Sequence, residues 1–312
     1  MAHPRITVVG AGNVGATAAL LAAQRDLGDV VLVDVVDGLA EGKALDLAEA
    51  APILGTSHSV AGTADYEATA GSDLAIVTAG LARRPGMSRD DLLAKNAEIV
   101  SGVVKDLVAR SPEIILVIVS NPVDAMTALA HRASGLAPER VVGMAGVLDS
   151  ARMRAFIAAE AGVSPKDVQA YVLGGHGDSM VPLVRYASIG GLPLTARLSQ
   201  EQVDAIVQRT RGAGAEIVAL LKTGSAFYAP AAAAVEMAQA ILRDEGRVLP
   251  CAAFCDAEYG VGGYFVGVPA RLGAGGVTEV LEFDLTDAER EAFEASARHV
   301  RGLVRKIEDM GY

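Results

Sequence analysis

The chain has 312 residues, of which 51% are hydrophobic and 21% are charged. This length fits two domains or one large domain, and so apolar a composition excludes an intrinsically disordered protein. With 27 basic and 38 acidic residues, the formal net charge is −11, which disfavours binding to nucleic acid or to an anionic membrane surface.

Short β-branched runs alternate with longer helix-forming stretches through the first half of the chain. Continuous apolar runs of this kind are typical of strands buried on both faces of a parallel sheet. The predicted strands are Ile6–Val9, Val30–Asp34, Leu74–Thr78 and Ile114–Val119. The predicted helices are Asn13–Leu27, Gly38–Ala50, Arg89–Ala109 and Val123–Ala133. This alternation predicts an α/β domain over residues 1–142, with a doubly wound parallel sheet of the Rossmann type.

Strands and helices are less regularly interleaved in the second half of the chain. The predicted helices are Ser150–Ala161, Ser199–Leu221, Tyr228–Arg243 and Thr286–Ile307. Strand-like runs cover Val168–Leu173, Val181–Ile189 and much of Val248–Glu282. The spacing of Thr286 and Glu289 predicts a capping box at the start of the last helix. The pattern predicts a second, α+β domain over residues 143–312, packed closely against the first.

Three features of the sequence predict a cytoplasmic location. The apolar N-terminal stretch is interrupted by Gly10, Gly12 and Gly15, which is typical of a strand–turn–helix unit rather than of a secretory signal. No run approaches the roughly 18 apolar residues that a membrane span needs. Cys251 and Cys255 lie in one apolar run and, as strand residues, are too far apart to form a disulfide. We therefore expect buried thiols in a reducing compartment.

A glycine-rich segment joins the first predicted strand to the first predicted helix. Its residues are Gly10, Ala11, Gly12, Asn13, Val14 and Gly15. In this pattern the glycines permit a tight turn, close approach of a pyrophosphate and close helix–strand packing, and the helix start holds the phosphates. Asp34 ends the second strand about 20 residues later, where a carboxylate accepts from a ribose 2′-hydroxyl and repels a 2′-phosphate. A simple turn beside a surface aspartate is the alternative, but the ordered combination predicts an NAD site.

His176 has the sequence context of a catalytic histidine. It lies in the segment GGHGD, whose glycines permit unusual backbone geometry and the close approach of a ligand. An imidazole exchanges a proton near neutral pH, and it works best beside a carboxylate that fixes its tautomer. Asp149, in LDSAR, is the candidate partner. Its alternative role is the N-cap of the helix predicted from Ser150.

A basic loop follows the third predicted strand of this acidic chain. It contains Arg83, Arg84 and Arg89 among glycine and proline residues. Ligands bind at the carboxyl ends of strands in open α/β sheets. Ser88 and Asp91 have capping-box spacing, so Arg89 is predicted to begin the next helix. Such a loop is suited to close as a lid over a ligand, and a solvated basic loop is the alternative.

The motifs, in this order, resemble the malate/lactate dehydrogenase superfamily, most closely its lactate-dehydrogenase-like malate dehydrogenases. They are VGAGNVG, TAGLARRPGMSR, VSNPVD, GVLDSAR, GGHGDSMVP and KTGSAFYAPAAA, and the resemblance covers essentially the whole chain. It implies an NAD-binding domain over residues 1–142 and a substrate-binding, catalytic domain over residues 143–312. The implied reaction is the NAD-dependent interconversion of (S)-malate and oxaloacetate in the tricarboxylic acid cycle, by a homodimer or homotetramer.

The resemblance also implies roles for individual residues. His176 is implied to be the general acid/base and Asp149 its carboxylate partner. Arg152 is implied to bind the carboxylate common to 2-hydroxy acids, and Arg89 to polarise the reacting carbonyl. Asn121 is implied to form a hydrogen bond near the substrate and nicotinamide, although an Asn-Pro pair alone also fits a turn. Two further residues are implied to line the cofactor site: Asn96 and Val119.

Arg83 is implied to select the substrate, because malate enzymes have Arg at this position and lactate enzymes have Gln. Malate has a second carboxylate where lactate has a methyl group. A charge-assisted hydrogen bond contributes about 1.5–3 kcal/mol, and a buried Arg without that carboxylate would be left unpaired. Gly175 and Ala226 also agree with the malate pattern, and the small Ala226 leaves room for the longer substrate.

Three alternatives remain at this point. A lactate or other 2-hydroxy acid dehydrogenase is disfavoured by Arg83. An NAD-dependent glycosidase shares a related fold but uses a metal, and the sequence has no evident cluster of metal ligands. A non-catalytic NAD-binding protein would have no need of His176, Asp149, Arg89 and Arg152 together. Consumption of NADH with oxaloacetate, compared with pyruvate, discriminates among them.

Overall fold

A computed structural model describes residues 3–81 and 88–312, without the side chain of Arg89. The strands are β1 (Arg5–Val9), β2 (Asp29–Val33), β3 (Val60–Thr63), β4 (Leu74–Val77), β5 (Ile115–Ile118), β6 (Val141–Gly143), β7 (Val168–Gln169), β8 (Val172–Leu173), β9 (Val181–Pro182), β10 (Ser188–Ile189), β11 (Leu192–Pro193), β12 (Arg247–Cys255), β13 (Tyr264–Gly273) and β14 (Gly276–Val280). The helices are α1 (Asn13–Gln24), α2 (Leu39–Leu54), α3 (Arg89–Arg110), α4 (Val123–Ser134), α5 (Gly146–Ala161), α6 (Gln200–Leu221), α7 (Tyr228–Leu242) and α8 (Asp287–Asp309).

One large twisted sheet organises the fold. Its order is β14-β13-β12-β6-β5-β4-β1-β2-β3. Strands β1 to β6 are parallel, whereas β12, β13 and β14 are antiparallel to their neighbours. The order reverses between β1 and β4, and ligands bind outside the carboxyl ends of strands at such a switch point. The predicted fold class, a doubly wound Rossmann-type sheet with further α+β structure, is confirmed.

The predicted strands and helices of the first half are present, with ends that differ by a few residues. Two strands were not predicted. β3 is partly exposed, and its Gly62 packs so closely on α2 that an added Cβ would lie 2.1 Å from the carbonyl oxygen of Ala40. β6 has three residues and is completed by β5 on one side and β12 on the other. Neither strand has a strong local signal, because each depends on its neighbours.

The sheet and the core continue across the predicted domain boundary at residues 142 and 143. Ala252 of β12 pairs with Gly143 of β6, which joins the late strands to the parallel ones. On one face, the alanine-rich helices α1 and α7 pack together, and their small side chains permit close approach. On the other face, α8 packs against α4. The division into 1–142 and 143–312 stays a prediction.

Both predicted capping boxes and the predicted burial of the two cysteines are confirmed. Ser88 with Asp91 caps α3, and Thr286 with Glu289 caps α8, each through reciprocal side-chain and backbone hydrogen bonds. The two cysteine thiols are buried in β12 and unpaired, and burial raises the pKa of both. Among the described helices, none combines the length and apolarity required to cross a bilayer.

Candidate active site

The glycine-rich turn between β1 and α1 forms one part of the site. Gly10 adopts a φ of +100°, which L side chains rarely adopt. Gly15 packs under the turn, where an added Cβ would lie 1.7 Å from the Gly10 carbonyl oxygen. Gly12 is the N-cap of α1 with an extended backbone, and an added Cβ there would meet no described atom within 4 Å. The turn is therefore closely packed at Gly15, but the space next to Gly12 at the start of α1 is open.

Asp34 follows β2 and faces this turn. Its carboxylate accepts hydrogen bonds from the backbone N–H groups of Ala11 (2.6 Å) and Val36 (2.9 Å). The Lys43 ammonium donates to the Ala11 carbonyl oxygen at 2.6 Å. A carboxylate has about four acceptor positions, so Asp34 keeps capacity for a ligand hydroxyl. Asn13 and Val14 begin α1, Asn13 exposed and Val14 partly buried. The open N-terminus of α1 beside this carboxylate fits the phosphates and ribose of a dinucleotide.

Asn96, Val119 and Asn121 lie around the carboxyl ends of β4 and β5. The buried Asn96 side chain accepts from the Leu81 N–H at 2.7 Å and donates to the Asn121 carbonyl oxygen at 2.8 Å. Asn96 therefore holds two backbone segments together at the edge of the site. Val119 is 6% exposed, whereas Asn121 is exposed and precedes α4. Arg83 lies outside the described residues, and for Arg89 only the backbone, which begins α3, is described.

His176, Asp149 and Arg152 meet as the sequence predicts. The Nδ1 of His176 lies 2.8 Å from Oδ2 of Asp149, whose side chain is 2% exposed. A terminal nitrogen of Arg152 donates to Oδ1 of the same carboxylate at 3.2 Å. α5 begins at Gly146, four residues before the predicted start, so Asp149 lies in its first turn and is not its N-cap. One helical turn separates Asp149 from Arg152, which places both beside the imidazole.

The pKa of His176 is raised above its ordinary value. Burial by itself would lower the pKa, but the charge and hydrogen bond of Asp149 outweigh it, and the charge of Asp124 acts in the same direction. Arg152 opposes them. An imidazole held by a carboxylate at Nδ1 presents Nε2 for proton exchange, and the adjacent guanidinium can bind a substrate carboxylate.

Sequence reasoning missed Asp124, in the first turn of α4. Its Oδ2 accepts from the backbone N–H of His176 at 2.9 Å, and the residue is 4% exposed. The signal was an aspartate at the start of an otherwise apolar predicted helix. Gly175 is also buried next to this carboxylate, and an added Cβ would lie 2.8 Å from a methyl group of Val300. Packing alone therefore accounts for glycine at position 175.

Both halves of the chain match known families. Residues 4–143 match the lactate/malate dehydrogenase NAD binding domain, and residues 146–310 match the lactate/malate dehydrogenase alpha/beta C-terminal domain. A curated malate dehydrogenase of Rhodopirellula baltica is 54% identical over 312 residues, covering 99% of each chain.

Solved structures agree with this similarity. The structure of malate dehydrogenase from Salinibacter ruber superimposes with a TM-score of 0.95 at 52% sequence identity. The match covers 99% of this chain and 100% of the Salinibacter ruber chain. That of lactate dehydrogenase from Cryptosporidium parvum, complexed with lactic acid and nicotinamide adenine dinucleotide, has a TM-score of 0.95 at 42% identity. It covers 99% of this chain and 99% of its own.

Proposed function

Because the chain belongs to the lactate/malate dehydrogenase family, we propose that it catalyses the reversible, NAD-dependent interconversion of (S)-malate and oxaloacetate. This is a reaction of the tricarboxylic acid cycle. The observation that carries the proposal is the His176–Asp149 pair, 2.8 Å apart, with the Arg152 guanidinium on the same carboxylate. A non-catalytic dinucleotide-binding protein would have no use for this buried arrangement.

The cofactor is held by the first half of the chain. The N–H groups at the start of α1 would bind the pyrophosphate over the open surface of Gly12, and Asp34 would accept a hydrogen bond from the adenosine ribose. Val119 and Asn121 follow β5 and would line the nicotinamide side of the cofactor site. When bound, NAD supplies the hydride acceptor for malate oxidation and, as NADH, the donor for oxaloacetate reduction.

His176 moves the proton. In malate oxidation a hydride leaves C2 while the Nε2 of His176 takes the proton from the C2 hydroxyl, so that a carbonyl forms. In the reverse direction the protonated imidazole returns that proton to the developing alkoxide. Asp149 holds the ring through Nδ1 and stabilises the imidazolium, which agrees with the raised pKa of His176.

Two arginines act on the reacting end of the substrate. Arg152 binds the C1 carboxylate through a two-pronged, charge-assisted contact and so fixes the orientation of C2. Arg89, at the start of α3, polarises the C2 carbonyl and stabilises the negative charge that develops on its oxygen.

Arg83 selects malate over lactate. Its guanidinium pairs with the C4 carboxylate, which lactate lacks, and a bound lactate would leave the charge without a partner. A lactate dehydrogenase is the second candidate, since lactate dehydrogenases are among the structural relatives. The residue at position 83 separates the two candidates.

The test compares kcat/KM for oxaloacetate and pyruvate with NADH, in the wild type, in Arg83→Gln and in the matched control Arg84→Gln. We expect a strong preference for oxaloacetate that collapses only in Arg83→Gln. A preference that survives in Arg83→Gln keeps the reaction but moves selection elsewhere, for example to Ala226. Absence of turnover on both acids, with NADH still bound, contradicts the dehydrogenase assignment.

The assembly and location complete the proposal: a homodimer or homotetramer in the cytoplasm. The buried, unpaired thiols of Cys251 and Cys255 agree with a reducing compartment. Light scattering on the purified protein distinguishes a dimer from a tetramer, and a monomeric mass contradicts the assembly. Cell fractionation with antibody detection tests the location.

A further inference from the structure

Three consecutive backbone N–H groups of the His176 loop are each bound by a different element. Gly174 donates to the carbonyl oxygen of Gly267 in β13 at 2.8 Å. Gly175 donates to the hydroxyl of Ser296 in α8, also at 2.8 Å. His176 donates to the carboxylate of Asp124 in α4 at 2.9 Å. The backbone that carries the imidazole is thus fixed from three sides, and only α4 contributes a charge.

Asp124 is energetically unfavourable for folding at this buried position. It is 4% exposed, and its Oδ1 is buried without a hydrogen-bond partner among the described residues. Desolvation raises its pKa to about 6, against the hydrogen bond from His176 and the imidazole charge, which lower it. Its position in the first turn of α4 favours a negative charge. A buried, partly unsatisfied carboxylate destabilises a fold, so its presence indicates a functional demand.

The described charged groups that act on His176 come from two elements. α5 supplies Asp149 and Arg152, and α4 supplies Asp124. α8 and β13 meet the loop through uncharged residues, as described above. The protonated imidazole therefore completes a neutral cluster of two carboxylates, a guanidinium and an imidazolium. Loss of its proton leaves one excess negative charge in a buried site, which favours the protonated form.

We propose that Asp124 is a positioning residue for His176: its carboxylate fixes the backbone of the catalytic loop, and its negative charge favours the protonated imidazole. The first effect is geometric and the second electrostatic, so different substitutions separate them. The inference rests on the proposed function for the catalytic role of His176, but the contact itself does not depend on the identity of the substrate.

The experiment uses Asp124→Asn, Asp124→Ala and the control Asp178→Asn on the full chain. The Asn side chain retains an acceptor for the His176 N–H but no charge, whereas Ala removes both. Asp178 is an exposed carboxylate two residues after His176, so its substitution removes the same charge outside the buried cluster. The first readout is the NMR titration of the His176 ring in cofactor-free protein, its signal assigned by its loss in His176→Asn. The second is the pH profile of kcat/KM for oxaloacetate.

For Asp124→Asn we expect both titrations to shift to lower pH by about 0.5–1 unit, with kcat at low pH nearly retained. For Asp124→Ala we expect, in addition, a loss of kcat at every pH, on the order of 10–100-fold, because the loop is misplaced. Asp178→Asn should shift neither titration by more than about 0.2 unit, since exposed charges are screened.

An unshifted His176 titration in Asp124→Asn overturns the electrostatic role, and an equal shift in Asp178→Asn overturns its specificity. Full kcat in a folded Asp124→Ala protein overturns the geometric role. If Asp124→Ala does not fold, Asp124→Gln replaces it, because the longer side chain displaces the carbonyl acceptor. A reduced kcat in Asp124→Gln supports the geometric role, and an unchanged kcat overturns it. Should the wild type not turn over oxaloacetate, the proposed function fails, and the NMR titration still tests the effect of Asp124 on His176.

Discussion

Asp34 stabilises the glycine-rich turn and, in the proposed function, also discriminates between NAD and NADP. Its carboxylate accepts the Ala11 and Val36 N–H groups and still faces the open start of α1. We predict that Asp34→Gly relaxes the NAD preference, because a 2′-phosphate is no longer repelled and the 2′-hydroxyl loses its acceptor. The measurement is the ratio of kcat/KM for NADH to that for NADPH, which should fall on the order of 10-fold or more.

The matched control for this prediction is Asp37→Asn, which removes an exposed carboxylate three residues further along. Its cofactor ratio should remain within about two-fold of the wild type. Asp34→Asn should lie between wild type and Asp34→Gly, because the amide keeps one acceptor without the charge. An unchanged ratio in Asp34→Gly would remove the ribose contact from the proposal.

Asp124 also predicts a pH dependence of stability. Its pKa in the folded protein is about 6, above the ordinary value of 3.8 for an aspartate, so between these pH values the folded state retains a proton that the unfolded state releases. The stability that depends on this protonation is fully present below about pH 4, and it is lost as the pH rises through 6. Asp124→Asn should therefore unfold at a higher temperature than the wild type at pH 7, by an amount equivalent to about 3 kcal/mol at most.

The measurement is the midpoint of thermal unfolding of both proteins between pH 4 and pH 8. The difference between them should grow as the pH rises from 4 to above 6 and then level off. A difference that does not vary with pH contradicts the buried ionisation. Together with the kinetic shift proposed above, the expected result is a variant that is more stable but less active at neutral pH, as is common at functional sites.

At the residue scale, the motifs and the family resemblance that they carry pointed to His176, Asp149 and Arg152 as candidates. Twenty-seven residues separate the first two, so their 2.8 Å contact depends on the tertiary fold and was only an expectation. Asp124 was missed because an aspartate in the first turn of a helix is equally expected at a solvated helix start, so the sequence does not show that it is buried against a main-chain N–H. The roles assigned to these residues, and to Arg83 and Arg89, stay predictions.

At the scale of elements, two glycines of one turn allow opposite outcomes to be predicted. An added Cβ at Gly12 meets no described atom within 4 Å, and its φ of −64° suits alanine. Gly12→Ala should therefore leave the unfolding temperature nearly unchanged but weaken NADH binding, because the methyl group occupies the space above the start of α1. Gly15→Ala should lower stability by about 3 kcal/mol or more, because its Cβ would overlap the Gly10 carbonyl.

Fluorescence titration with NADH and thermal unfolding of the two variants make the comparison. We expect Gly12→Ala to weaken NADH binding without lowering the unfolding temperature. If Gly12→Ala binds NADH as tightly as wild type, the pyrophosphate does not approach this turn. If Gly15→Ala is as stable as wild type, the helix is not packed on the turn as described.

The start of α3 gives a second prediction, with a matched control in α6. Ser88 and Asp91 form a capping box before α3, and Ser199 and Gln202 form the same box before α6, remote in sequence from every predicted site residue. Ser88→Ala and Ser199→Ala should each cost about 1 kcal/mol of stability. Only Ser88→Ala should also reduce kcat/KM for oxaloacetate, because fraying at Arg89 displaces the residue that is proposed to polarise the carbonyl. Equal kinetic effects in both variants would contradict this role of α3.

Most elements could be predicted because their signals are local. Apolar runs gave β1, β2, β4 and β5, and side-chain spacing gave two capping boxes. β3 and β6 were not predicted because they are short and depend on neighbouring strands for their stability. The start of α5 was placed too late because Gly146 opens the helix, and glycine is a weak helix former.

At the scale of the whole molecule, the two halves share their cores. One buried cluster contains Ala18 and Ala22 of α1 together with Ala234 and Val235 of α7. The sequence predicted two closely packed parts, but it could not predict that the sheet itself would run through the boundary. The pairing of β6 with β12 brings together strands about 110 residues apart, and no local pattern encodes such a contact.

This continuity predicts that residues 1–142 do not fold independently. Without the second half, the alanine-rich face of α1 loses α7, α4 loses α8, and β6 is left truncated at an unpaired edge. The fragment should show no cooperative thermal unfolding and no NADH binding, whereas the full chain shows both, because exposed apolar faces and open edges favour aggregation. Circular dichroism melting and an NADH titration of both proteins, at equal concentration, make the comparison. A cooperatively folded fragment that binds NADH would instead establish residues 1–142 as an autonomous domain and limit the shared core to a docking surface.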